Sequence, residues 1–115
     1  MKKQALIEFL NLNEEEKEDV IESSYNENVF EYYNEEYEVL TDEEANERWE
    51  EELQYYIEEV IYQEIPEIYQ PFFDEEAWKN NVMMYEGRGH SISRYNGHEN
   101  EITIDGETFY IYRQN

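Results

Sequence analysis

Apolar positions recur along the chain with two different periods, and the change of period divides it. Near the start, Ala5, Leu6, Phe9 and Leu10, with Ile7 and Leu12, form a rough helical stripe. Asn13 is placed to cap a second helix whose first turn holds Glu14, Glu15 and Glu16. Val20, Ile21, Ser24 and Tyr25 would line its inner face. A break is expected near Asn26–Asn28, and Val29–Tyr33 fits helix and strand patterns equally well. The clearest helix starts at Thr41. Thr41-Asp42-Glu43-Glu44 has the spacing of a capping box, in which side chain and backbone satisfy two orphan donors reciprocally. Ala45, Trp49, Leu53, Tyr56, Ile57, Val60 and Ile61 follow in steps that place one stripe against a core. Pro66 should end that run, because the residue before proline avoids helical angles. Pro66–Pro71 reads as a rigid connector with Ile68 and Tyr69 to bury. Asp74 is placed to cap a further helix with Ala77, Trp78 and Val82 inward, and Gly87 suits its C-terminal cap.

Beyond Gly87 the pattern reads as strands. His90–Tyr95 runs into Asn96-Gly97, and Glu101–Ile104 runs into Asp105-Gly106; both dipeptides favour tight hairpins. Phe109–Tyr112 closes the series, with Ile102, Ile104, Phe109 and Ile111 facing the helices. The expected class is α+β, with several acidic helices followed by a small C-terminal three-stranded antiparallel β-meander. A single domain over residues 1–115 is expected, with an acidic helical part at 1–86 and a β-hairpin part at 87–115.

Charge changes this picture most. The 115 residues carry 31 Asp+Glu against 8 Lys+Arg, a net of −23. Residues 1–86 hold a net of −22 and residues 87–115 a net of −1. A small domain needs a net charge of only about 2–8 for solubility, and self-repulsion on this scale lowers stability. Nucleic acid and anionic membrane would both be repelled, so the natural partner is basic. Hydrophobic residues make up 39% and aromatics 17%, with 12 Tyr. That aromatic content separates the chain from acidic disordered tails, which are poor in rings. No apolar run nears the ~20 residues needed to cross a bilayer. Glu8 interrupts any signal-peptide stretch, and Cys is absent, so a cytosolic location is expected.

The helix of residues 41–64 holds ten acids and one base, Arg48, over a length of about 36 Å. That is about one uncompensated charge per 4 Å, against about one per 1.7 Å of duplex DNA. Glu43, Glu47 and Glu51 repel at i,i+4, as do Glu31 and Glu35. A cationic partner would relieve that strain. The expected function is therefore an acidic nucleic-acid mimic without enzymatic activity or cofactor. It would block the binding cleft of a basic nucleic-acid-binding protein. Its contact residues are expected to be Glu31, Glu35, Glu36, Asp42, Glu43, Glu47, Glu50, Glu51, Glu58 and Glu59. Tyr32, Tyr33 and Tyr37, set among those acids, are expected to anchor the interface. The hairpins would complete the core, supply a specific contact or form a homodimer edge. One rival is an antitoxin-like or assembly module whose basic partner binds no nucleic acid. Another is a small hydrolase using carboxylates.

Gly87-Arg88-Gly89-His90 has two glycines and an arginine, the makings of an anion cradle. It lacks the strand–loop–helix context and the Lys-Ser/Thr of a phosphate loop, and a helix end running into a strand accounts for both glycines. His90 and His98 have no third ligand at metal spacing, and the acids do not follow the calcium-loop pattern, so no metal site is expected.

The C-terminal run from Gly87-Arg88-Gly89-His90 through Tyr95-Asn96-Gly97-His98-Glu99, then Phe109-Tyr110-Ile111-Tyr112-Arg113-Gln114-Asn115, resembles small acidic proteins encoded by bacteriophages and prophages. The Glu-rich Trp49 helix and Phe72-Phe73-Asp74-Glu75-Glu76 share that likeness, which covers roughly residues 38–115. It implies a phage accessory protein acting in a bacterial cytoplasm. Several phage anti-defence proteins, among them anti-restriction and anti-CRISPR inhibitors, are acidic DNA mimics. The group supplies no catalytic motif to carry over.

Overall fold

A computed structural model describes all residues, 1–115. Helix α1 spans Lys2–Leu10, and strands β1 (Ile21–Glu22), β2 (Val29–Tyr32) and β3 (Glu35–Leu40) follow. Helices α2 (Asp42–Tyr56), α3 (Tyr62–Glu64), α4 (Glu75–Tyr85) and α5 (Arg88–Ile92) come next, and β4 (Asn100–Ile104) and β5 (Glu107–Arg113) close the chain. The fold is α+β, as expected. The sheet is larger than expected and is assembled from both ends of the chain. Its five antiparallel strands run in the order β1-β2-β3-β5-β4.

The three-stranded C-terminal meander is therefore corrected. Only β4 and β5 come from that region, joined by the expected Asp105-Gly106 turn, whose two residues both have positive φ. His90–Tyr95 is not a strand, since Arg88–Ile92 is helical. Asn96-Gly97 lies in a loop with no strand before it. Nor does position 87 divide helix from strand, because three strands precede it.

The β2–β3 hairpin turns on Tyr33 and Asn34, with φ of 47° and 69°. Two successive left-handed residues make the turn that matches the twist of a hairpin. Asn is common there, but Tyr is not. Tyr33 is held by edge-to-face packing on Tyr32 at 4.6 Å and by a hydrogen bond that its hydroxyl donates to Asp19 at 2.8 Å.

Alternation along β3 and β5 feeds two cores. Tyr37, Val39, Phe109 and Ile111 pack with Ala5, Leu6 and Ile7 of α1 on one face of the sheet. Leu40 and Tyr112 pack with Ala45 and Ile92, beside Trp49, on the other. Asn13 does act as a cap, accepting hydrogen bonds from the backbone of Glu15 and Glu16. The helix it starts is only a 3-10 turn, Glu16–Asp19. Val20 is buried there, but Ile21, Ser24 and Tyr25 are exposed rather than inward.

The capping box at Thr41 and Glu44 forms as expected. Past Ile57 the helix widens into a π-type turn, Ile57–Ile61, before α3. The extra residue per turn shifts the phase of the stripe. Ile57 is buried as expected, Val60 and Ile61 within the turn are half-buried, and Tyr56, still in α2, faces solvent. The chain returns through a 3-10 segment, Glu67–Phe72, and α4 runs back along α2. Lys79 of α4 meets Glu50, Trp78 stacks on Tyr56, and Tyr62 donates to Glu75. This helical arm gives the molecule its length, with extents of 59 × 28 × 21 Å. The expected burial of Ile68 and Tyr69 does not occur. They are 74% and 60% exposed, and Phe72 is 82% exposed. Gly87 is also corrected: α4 ends at Tyr85 with Glu86 as its cap, and Gly87, with φ of −80°, caps the start of α5.

Candidate partner-binding surface

Every Lys and Arg of the chain lies within ion-pair distance of a carboxylate. These pairs engage ten of the 31 acids and leave 21 without a Lys or Arg partner. Lys2, Arg48, Lys79, Arg88 and Arg113 tie separate elements together through these pairs, and most of the acids stay unneutralised.

Arg48, the one base of α2, shows how. It reaches across to Glu38 on β3 at 3.1 Å and pairs with Glu52 one turn along its own helix. Glu38 is 5% exposed, and burial pushes its carboxyl above the ordinary range while Arg48 pulls it back. Arg48 is thereby committed to the interior. The outer side of α2 has no cation of its own.

Steps of four place Glu43, Glu47 and Glu51 on one face of this helix, away from buried Ala45 and Leu53, and Glu58 follows in the π-type turn. All four are exposed, and none has a Lys or Arg partner. Glu58 accepts only a hydrogen bond from Gln54, at 3.2 Å. Glu59 is exposed and unpaired as well. Two expected members of the set are engaged internally. Glu50 holds Lys79 at 2.7 Å, and Asp42 holds Arg88 at 2.8 Å.

A second group lies on the β2–β3 hairpin. Glu31 and Glu36 face each other across the two strands. Glu36 accepts a hydrogen bond from the Tyr25 hydroxyl at 3.2 Å. Glu35 is tied to Arg113 at 3.5 Å and accepts from the Tyr37 hydroxyl at 2.6 Å. Tyr37 itself is 4% exposed and belongs to the core under α1. It is not a surface anchor, because β3 alternation points it at α1. Tyr32 is half-buried, and Tyr33 remains outward at the hairpin tip.

Gly87-Arg88-Gly89-His90 carries no free anion cradle. Arg88 bonds Glu99 and Asp42, each at 2.8 Å, and lies over the Tyr110 ring at 4.6 Å. Burial disfavours its charge, but the bonds to Glu99 and Asp42 outweigh that and raise its pKa. Gly89 is required by close packing. A Cβ there would stand 2.6 Å from the backbone of Glu99 and Gly97.

One feature of the arm has only a partial signal in the sequence. Tyr56 and Trp78, each expected to point inward, instead stack at 5.7 Å and nearly parallel beside an open groove between α2 and α4. No group of three or more His, Asp or Glu is arranged to hold a metal ion, and no helix is long and apolar enough to cross a membrane.

No protein-family model, curated protein or solved structure matches the chain.

Proposed function

We propose that this protein is an acidic nucleic-acid mimic that blocks the DNA- or RNA-binding site of a basic partner. The carboxylate row of α2 carries the reading. Glu43, Glu47 and Glu51 rise along the helix in steps of about 6 Å. Alternate phosphates of one DNA strand rise by about 6.8 Å. The row is exposed, and the nearest internal base, Arg48, is drawn away to the sheet. Glu58 and Glu59 extend it along the arm, and the Glu31–Glu36 pair adds a second anionic patch. A groove lined with Lys and Arg would gain charge-assisted hydrogen bonds from these groups and relieve their mutual repulsion. The resemblance to phage accessory proteins directs the reading to a bacterial defence nuclease, of restriction or CRISPR type, or another DNA-binding protein.

The test is competition. Protein immobilised at low salt is exposed to bacterial lysate, and bound proteins are challenged with duplex DNA, single-stranded DNA or RNA. The expected outcome is a retained nucleic-acid-binding protein that is released by one of these polymers and by salt. Glu43→Lys, Glu47→Lys and Glu51→Lys together should abolish its capture while leaving the circular dichroism spectrum unchanged. Bound proteins that no nucleic acid displaces would instead identify an interaction module of another kind.

A further inference from the structure

The fold twice builds the same local device from its own residues. Arg113 lies over the Tyr95 ring at 3.8 Å, with Glu35 at 3.5 Å from its guanidinium. Arg88 lies over Tyr110 at 4.6 Å, with Glu99 and Asp42 as its carboxylates. In each case a flat guanidinium covers an aromatic face and lies within ion-pair distance of an acid. That geometry suits arginine and not lysine, whose ammonium is a compact, strongly hydrated point charge.

The groove between α2 and α4 holds the same parts without a cation. It encloses about 520 Å³, and no Lys or Arg lines it. The stacked rings of Tyr56 and Trp78 stand beside a floor that includes Leu53 and Val82. Glu86 supplies a carboxylate free of Lys and Arg within it, whereas Glu52, also on its wall, is already paired with Arg48 and Arg94. Tyr56 is 48% exposed, so its ring is open to a partner. Glu86 is half-exposed and has only His90 as an ion partner, at 3.4 Å.

We infer that this groove is a receptor for an arginine side chain of the basic partner, seated against the Tyr56–Trp78 pair and bonded to Glu86. The inference rests on the basic-partner reading given above and adds a specific contact to it. The carboxylate row attracts any cation, but the groove selects guanidinium over ammonium. A second copy of this chain is a poor occupant, since both copies would carry −23.

Hexa-arginine and hexalysine peptides, titrated by calorimetry at low salt, separate the two contributions. Hexa-arginine should bind at least about fivefold more tightly than hexalysine. Trp78→Leu should remove that preference while lysine binding stays within twofold, and Glu86→Gln should reduce it. Glu43→Lys/Glu47→Lys/Glu51→Lys should weaken both peptides and keep the preference. Thermal melts establish that each variant is folded, and Tyr56→Leu makes the same test if Trp78→Leu does not fold. Equal affinity for the two peptides, or an arginine preference that survives loss of either ring, overturns the groove and leaves the mimic reading standing. Absence of binding by both peptides overturns the groove together with the basic-partner reading.

Discussion

Glu31 and Glu36 stand directly opposite each other on neighbouring antiparallel strands, and neither has a Lys or Arg partner. Directly opposed like charges destabilise a sheet. A hairpin built only for stability would place a threonine or a base at one of these positions. The pair is thus a local excess of charge, and Glu31, unlike Glu36 with its Tyr25 hydroxyl, has no side-chain partner that offsets it.

Replacing Glu31 with Thr should accordingly stabilise the protein, by about 0.5 kcal/mol. At low ionic strength this raises the melting temperature by roughly 2–4 °C. The advantage should shrink in molar salt, where repulsion is screened. Paired thermal melts of the two proteins check both statements. A variant that melts no higher than the parent at low salt would show that the opposed acids do not strain the hairpin.

The two glycines around Arg88 should respond differently to alanine. At Gly89 an added Cβ meets backbone atoms of Glu99, Gly97 and His98 at 2.6–2.7 Å. Backbone cannot swing aside as a side chain can, so Gly89→Ala should cost about 2–3 kcal/mol or prevent folding. At Gly87 a Cβ meets nothing within 4 Å, and Gly87→Ala should stay within about 0.5 kcal/mol of the parent. Urea unfolding of both variants measures the difference. Similar losses at the two positions would contradict the packing described for α5.

Glu44 gives a pH dependence of known sign. Burial opposes its charge, but hydrogen bonds from Lys2 and from the Thr41 backbone outweigh this and hold its pKa below the ordinary 4.5. The folded state therefore binds the Glu44 proton more weakly than the unfolded chain does. Its contribution to stability is complete above pH 4.5 and is lost as pH falls through the lowered value. The parent should melt higher than Glu44→Gln at pH 7, and the gap should close below pH 4.5. A gap that is unchanged at pH 3.5 would remove the carboxylate from the capping box as a source of stability.

Local rules recovered the features whose causes are local. The capping box at Thr41, the Asp74 cap, the helix stop before Pro66 and the Asp105-Gly106 hairpin each depend on a few consecutive residues. Two errors have equally specific causes. Tyr33-Asn34 was not read as a turn, because tyrosine seldom takes the left-handed conformation that it holds here. His90–Tyr95 reads as a strand, although Arg88–Ile92 is helical, because nothing nearby announces that Gly89 must pack against residues 97–99. The acids of α2 are legible as a set, because helical spacing alone puts Glu43, Glu47 and Glu51 on one side. Which of the other acids are engaged was not legible, because the partners come from afar: Arg88 for Asp42, Lys79 for Glu50 and Arg113 for Glu35.

Composition and periodicity by themselves determined the α+β class, the long acidic helix and the net charge of −23. Charge and helical spacing are properties of the covalent chain and need no folding to be read. Only the tertiary structure decided that β3 pairs with β5, that Tyr37 is core, and that Arg48 turns inward and leaves the outer face of α2 anionic. Pairing of Tyr37–Leu40 with Tyr110–Arg113, far along the chain, is selected by the burial of two apolar faces at once, and no short stretch of sequence encodes that choice.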